Sequence, residues 1–174
     1  MHSNHNPVIL GLDPGTRFLG AAVIRGPELI DYGVHTLRNG ERPYDLIGQA
    51  RKVVLGYVER HSPQVVAIEA PYLINSKRAA VLSTIAQELQ SRARDLGLRV
   101  LELSPEEVRK AVVGKERATK IVAEALIRGR FEQLEALKPR RLARAALGLR
   151  PKDKYWLHMF DALAIALASA FMEP

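Results

Sequence analysis

Val8-Ile9-Leu10-Gly11-Leu12-Asp13-Pro14-Gly15-Thr16 is the stretch on which the reading of this 174-residue chain turns. Five uncharged, mostly branched residues predict a short strand buried on both faces. Asp13-Pro14-Gly15-Thr16 then predicts a turn, with the Asp13 carboxylate left at a sheet edge where the chain bends away. Working outward, Leu19 to Ile24 reads as a second strand and Leu29 to Leu37 as a third. Arg25-Gly26-Pro27-Glu28 joins them, so the chain opens as an antiparallel meander.

The pattern changes after that. Tyr44, Ile47, Val54, Tyr57 and Val58 have helical spacing, and His61-Ser62-Pro63 stops the helix before the apolar run Val65-Val66-Ala67-Ile68. A loop at Ala70 to Ser76 leads to a helix striped with Val81, Leu82, Ile85, Ala86 and Leu89, capped near Gly97. Arg99 to Leu103 is the fifth strand. Ser104-Pro105-Glu106-Glu107 combines a capping box with a proline at the first helical position, a strong start signal. Ala118 to Arg130 reads as helix, Lys138 to Lys154 as a basic connection without assigned structure, and Tyr155 to Met172 as a final apolar helix. The expected fold class is α/β, a mixed five-stranded sheet flanked by helices, in one domain spanning 1–174, with 1–7 a disordered end and 131–156 a basic insertion.

Composition narrows the function. With no cysteine there is neither a disulfide framework nor a thiolate metal site, and a reducing, cytoplasmic setting is expected. Met1 to Pro7 lacks the apolar core of a signal peptide, and Ala162 to Met172 is too short to span a bilayer. Lys and Arg number 26 against 19 Asp and Glu, and the excess is regional: residues 109–154 hold 14 basic and 5 acidic side chains, whereas the remainder is slightly acidic. A solvated face is the plain account of such a run, and a polyanionic partner is the informative one.

Three features bear on chemistry. Taken alone, Asp13 is an ordinary turn aspartate, and Glu69, closing Val65–Ile68, an ordinary strand-end carboxylate. His158 and Asp161 sit three apart on one helical face, where a helix start that favours Asp would account for the pair. Asp161, however, precedes Ala162-Leu163-Ala164-Ile165-Ala166-Leu167-Ala168, a helix apolar nearly all round, and a carboxylate entering such surroundings is costly unless paired or metal-bound. Three carboxylates and one imidazole favour a hard divalent cation, Mg²⁺ with Mn²⁺ as substitute, over zinc. Two such ions about 3.5–4 Å apart serve in-line phosphodiester hydrolysis.

At this point the chain resembles the RuvC family of Holliday-junction resolvases. The resemblance rests on four blocks in order: Gly11-Leu12-Asp13-Pro14-Gly15-Thr16; Val66-Ala67-Ile68-Glu69; Val108-Arg109-Lys110-Ala111-Val112-Val113-Gly114; and Asp161-Ala162-Leu163-Ala164-Ile165-Ala166. It implies a ribonuclease H-like fold, a homodimer, and paired symmetric nicks in four-way DNA junctions that leave ligatable ends, with a branch-migration helicase as a further partner. It also implies that Asp13, Glu69 and Asp161 are the metal-binding catalytic acids, with His158 where many members carry a fourth Asp. Tyr72 matches an aromatic that stacks on unpaired bases, although a tyrosine packed on the sheet is the alternative. Arg109 and Lys120 match phosphate contacts that Lys77, Arg78, Lys115 and Arg117 widen. The Val81 to Leu89 stripe resembles the family's dimer helix and would serve equally as core.

The stretch from Phe131 to Trp156 departs from the family by its length and by Lys138, Arg140, Arg141, Arg144, Arg150, Lys152 and Lys154, which leaves the choice of nucleic acid, DNA or RNA, open. Two other enzyme classes share the first motif. A phosphotransferase with an Asp-X-Gly-Thr turn needs a second phosphate loop that this chain lacks. An RNA-processing nuclease of the YqgF type fits the Asp161 block and Tyr72 less well. A non-catalytic junction binder is disfavoured by the intact acids.

Overall fold

The computed structural model describes residues 6–38, 44–70, 77–114, 119–137 and 151–172, with backbone alone at 77, 78, 121, 135–137 and 151–154. Strands β1 (Val8–Pro14), β2 (Phe18–Arg25) and β3 (Glu28–Thr36) form the expected antiparallel meander. Strand β4 (Val65–Glu69) pairs parallel with β1 and β5 (Arg99–Leu103) parallel with β4, giving the order β3-β2-β1-β4-β5. The apolar run that opens the chain is therefore the central strand, which is why it carries no alternation: both of its faces are covered.

Two sequence expectations are corrected here. Asp13 and Pro14 belong to the strand and not to the turn, because pairing with Gly20 and Leu19 carries the antiparallel ladder two residues further. The chain reverses at residues 15–17. Asp13 consequently lies at the C-terminal end of the middle strand rather than at an outer edge of the sheet, since β4 returns to the far side of β1 through a crossover.

Helices α1 (Tyr44–His61) and α2 (Lys77–Asp95) cover one face of the sheet. Leu46, Ala50, Val54 and Tyr57 are the buried side of α1, while Ile85, Ala86 and Leu89 are buried from α2 and Val81 stays exposed. Part of the α2 stripe is thus core. Helix α3 (Pro105–Val113) starts with the predicted capping box, Ser104 accepting from the Glu107 backbone and Glu107 from that of Ser104, and stops at Gly114 in the left-handed conformation. Helix α4 (Lys120–Arg130) starts at Thr119, whose hydroxyl accepts from the Val122 N–H.

The other face belongs to α5 (Pro151–Ala170). This helix begins four residues earlier than its hydropathy predicts, because a polar first turn after a first-position proline leaves no apolar signal to read. His158 and Asp161 accordingly lie about two and nearly three turns inside the helix, so the helix-start explanation of Asp161 lapses. Phe131 and Leu134, at the start of the stretch read as a basic insertion, are buried in the α5-side core. Residues 1–5 and 138–150 lie outside the described set. Among the described residues no helix is long and apolar enough to cross a membrane.

Glycines let α5 press onto the sheet. A Cβ on Gly11 would stand 2.2 Å from the Ala162 carbonyl oxygen, and one on Gly20 would stand 1.9 Å from the carbonyl oxygen of His158. With Ala162 and Ala166 facing β1, backbone meets backbone, and His158 is carried to the strand end where Asp13 sits.

Candidate active site

The parallel ladder between β1 and β4 runs to Leu12 opposite Ile68, so the next residues, Asp13 and Glu69, leave neighbouring strands side by side. Leu12 and Ile68 point into the α1 side of the core. Alternation then sends both carboxylates toward the α5 side, where the helix supplies His158 and Asp161.

Four functional side chains meet there in two pairs. The His158 Nδ1–H donates to Asp13 Oδ2 at 2.6 Å, and Lys120 Nζ donates to Asp161 Oδ2 at 2.8 Å. Asp13 is buried, and the His158 ring tilts against Phe18 with centroids 5.7 Å apart. Each aspartate therefore turns one oxygen to a cationic or N–H donor. Among the described residues no three His, Asp or Glu side chains stand close enough together in this arrangement to hold a metal ion.

Electrostatics identify what the site lacks. Burial, then the charge of Asp13, push the Glu69 carboxyl up to about 7, with Lys120 and Arg109 opposing. Burial and Asp13 likewise raise Asp161 despite its bond to Lys120. Burial lowers the His158 imidazole, but the hydrogen bond and charge of Asp13 outweigh it and leave it above its ordinary value. Lys120 follows the same logic, burial being overcome by Asp161. Carboxylates crowded into low dielectric are short of positive charge, and an oxygen-rich set with one imidazole and no sulfur suits a hard divalent cation.

Beside these groups is a pocket of about 90 Å³ walled by Glu69, Asp161, Arg109, Lys120 and Glu124 over an apolar floor that includes Val108, Ile127 and Phe160. Asp13 and His158 adjoin it without forming its walls. Of the predicted nucleic-acid contacts, Arg109 and Lys120 are at the pocket. Lys77 and Arg78 open α2 with side chains outside the description, and Tyr72, Lys115 and Arg117 lie outside the described residues. Glu124 was not anticipated from the sequence. It binds Arg128, which lies 4.1 Å over the Phe160 ring and so braces the turn of α5 that holds Asp161. The Glu124 to Arg128 spacing of four residues on a predicted helix was the available signal.

A mixed five-stranded sheet with its first three strands antiparallel, acids at the ends of two adjacent parallel strands and a last helix bearing a further acid define a ribonuclease H-like protein. Comparison with known proteins agrees and narrows the class. Residues 9–169 match the family described as crossover junction endodeoxyribonuclease RuvC, and the chain belongs to that family. It is 30% identical over 176 residues to the RuvC of Moorella thermoacetica, covering 96% of this chain and 93% of that one. Against the Bacteroides fragilis RuvC the identity is also 30%, over 118 residues, 65% of this chain and 63% of the relative. The structure of T. thermophilus RuvC in complex with Holliday junction substrate superposes with a TM-score of 0.74 at 27% identity, covering 95% of this chain and 94% of that chain.

Proposed function

We propose that this chain is a structure-selective endonuclease that cuts four-way DNA junctions, with Asp13, Glu69 and Asp161 as its metal-binding catalytic acids and His158 as the fourth ligand. The observation that carries this reading is the convergence of two strand-end carboxylates with His158 and Asp161 at one end of the sheet, where burial and then the Asp13 charge push Glu69 up to about 7. Mg²⁺, or Mn²⁺ in its place, two ions per site, supplies positive charge to the phosphate and an activated water when bound.

The protein's own part is positioning. Glu69 and Asp161 both line the pocket, and Arg109 and Lys120, which line it too, supply the cations that hold a phosphodiester there. Lys120 donates to Asp161 at 2.8 Å and opposes the burial that raises the carboxyl's pKa, the part a bound cation would also play. The Asp13 bond holds the His158 ring in place and loosens as the imidazole loses its proton. Hydrolysis breaks one phosphorus–oxygen ester bond and forms one to water, leaving ends that a ligase can rejoin. A homodimer places two such sites for symmetric nicks, and a branch-migration helicase is the kind of partner that delivers junctions to it.

The test is incubation of the purified protein with a synthetic four-way junction, a linear duplex and an RNA–DNA hybrid, in Mg²⁺, Mn²⁺ or EDTA, beside Asp13→Asn. Paired junction nicks that need the metal and vanish in the variant are expected. Preferential cutting of the hybrid or the linear duplex overturns the junction assignment, and binding without cutting overturns the enzyme.

A further inference from the structure

A groove of about 500 Å³ lies between β3 and α1, on the face of the sheet opposite α5. His35 and Thr36 line one wall and Gln49, Lys52, Gly56 and Arg60 the other, and no acidic side chain lines it among the described residues. Lys52 is exposed and has no ion-pair partner among the described residues. Arg60 is held 4.8 Å above the Tyr57 ring and 3.7 Å from Asp31, whose same oxygen is taken at 2.8 Å by His61. Arg60 is thus oriented while its side chain stays 57% exposed.

Two further titratable groups, His35 and Tyr57, border the groove. Burial and the Arg60 charge hold His35 below its ordinary value, and burial with Asp31 pushes the Tyr57 hydroxyl up to about 12; the two side chains bond to each other at 3.0 Å. Gln49 grips both backbone groups of Arg38, at 2.9 and 2.8 Å, and the Leu37 N–H donates to the Arg17 carbonyl at 2.8 Å. That clamp fixes two further exposed arginines, Arg17 and Arg38, between the groove and the strand end that carries Asp13. These cations sit outside the basic region of residues 109–154.

The sheet register sets the distance. Asp13 is opposite Gly20 and Gly20 opposite Val34, so two strand spacings, about 10 Å, separate the backbone of Asp13 from that of Val34 at the near end of the groove, while Arg60, beside Asp31, stands further along the strands. Arg17 and Arg38 lie between that strand end and the groove, so a nucleic-acid arm that continues from the acids around the end of the sheet meets a succession of positive charge leading to Lys52 and Arg60.

We propose that the β3–α1 groove is a second DNA-backbone site, in which Lys52 and Arg60, extended by Arg38 and Arg17, grip the phosphates of a junction arm beyond the cut. It rests on the endonuclease reading and adds a place where the substrate is held. The contact is sequence-independent and acts on affinity, not on the chemical step.

The test compares full-length wild type with Lys52→Gln/Arg60→Gln. Binding to a long-armed four-way junction is followed in EDTA over a salt series, and single-turnover cutting at saturating enzyme in Mg²⁺. Losing two phosphate contacts makes the slope of log affinity against log salt shallower by about 1.8, equivalent to about a tenfold smaller loss of affinity between 50 and 200 mM. The saturating cutting rate and the melting temperature are expected to stay at wild-type values, and a junction with arms trimmed short of the groove should not distinguish the proteins. An unchanged salt slope in the folded variant overturns the proposal, as does a lowered saturating rate. If the double variant melts early, Lys52→Gln alone is measured, with a slope change of about 0.9 expected and none contradicting it. A wild-type protein that neither binds nor cuts the junction defeats the endonuclease reading instead, so the two failures are distinct.

Discussion

Gly20→Ala tests whether the approach of α5 to the sheet builds the site. The new Cβ would stand 1.9 Å from the His158 carbonyl oxygen and 2.3 Å from its carbonyl carbon, where ordinary contact begins near 3.4 Å, so the two backbones must part by about 1.5 Å. The obstacle is main chain on both sides and cannot rotate away. Overpacking of this kind costs about 3 kcal/mol. In a domain of this size that lowers the melting temperature by roughly 6–12 °C. The same displacement carries His158 and Asp161 away from Asp13 and Glu69, and about 1 Å of misplacement costs on the order of a hundredfold in rate. Thermal melting and single-turnover junction cutting measure the two effects below the new melting point. Gly48→Ala is the control: nothing lies within 4 Å of its Cβ position, and alanine there should stabilise α1 by about 0.5–1 kcal/mol without touching activity. A Gly20→Ala protein that melts within about 2 °C of wild type and cuts at its rate would refute the reasoning.

The other predictions concern charge and capping. Glu69, His158 and Asp161 all have folded values raised above their ordinary ones, so the stability they contribute is full at acid pH and is lost as pH rises, for Glu69 between 4.5 and about 7. Metal-free protein should therefore melt higher near pH 5 than near pH 8, Mg²⁺ should raise the melting point more at pH 8, and Glu69→Gln should flatten both trends in calorimetry while abolishing cutting. His158→Asp should extend activity to lower pH by removing an imidazole that must lose its proton, and a pH–rate profile identical to wild type would contradict this. Ser104→Ala removes the capping box that starts the helix of Arg109, and a loss of about 1 kcal/mol is expected on melting, with cutting largely kept.

The strand order and the acids were readable because each leaves a local signature: unbroken apolar runs, a carboxylate closing each of two runs, a capping box. The meeting of His158 with Asp13 across 145 positions followed only from family resemblance, since the glycines that permit it look like ordinary turn and strand residues. The pairing of Lys120 with Asp161 left no local signature, because a lysine's partner depends on how α4 lies against α5. The start of α5 and the burial of Phe131 and Leu134 were hidden by the charges around them, an average over neighbours that obscures single anchoring residues. The β3–α1 groove left no trace in the sequence, for its cations are spread over two elements and come together only through the packing of α1 on the sheet.

The in-phase ladder of β1 and β4 makes the proposed catalytic pair, Asp13 and Glu69, all-or-none. A strand's side chains alternate strictly, so a single residue inserted between Val65 and Glu69 would not nudge the glutamate but invert it, aiming the carboxylate into the aliphatic layer beneath α1. Length variation can be absorbed in the crossover that precedes β4, but the five positions of the strand itself behave as a counter that must always end on the same parity.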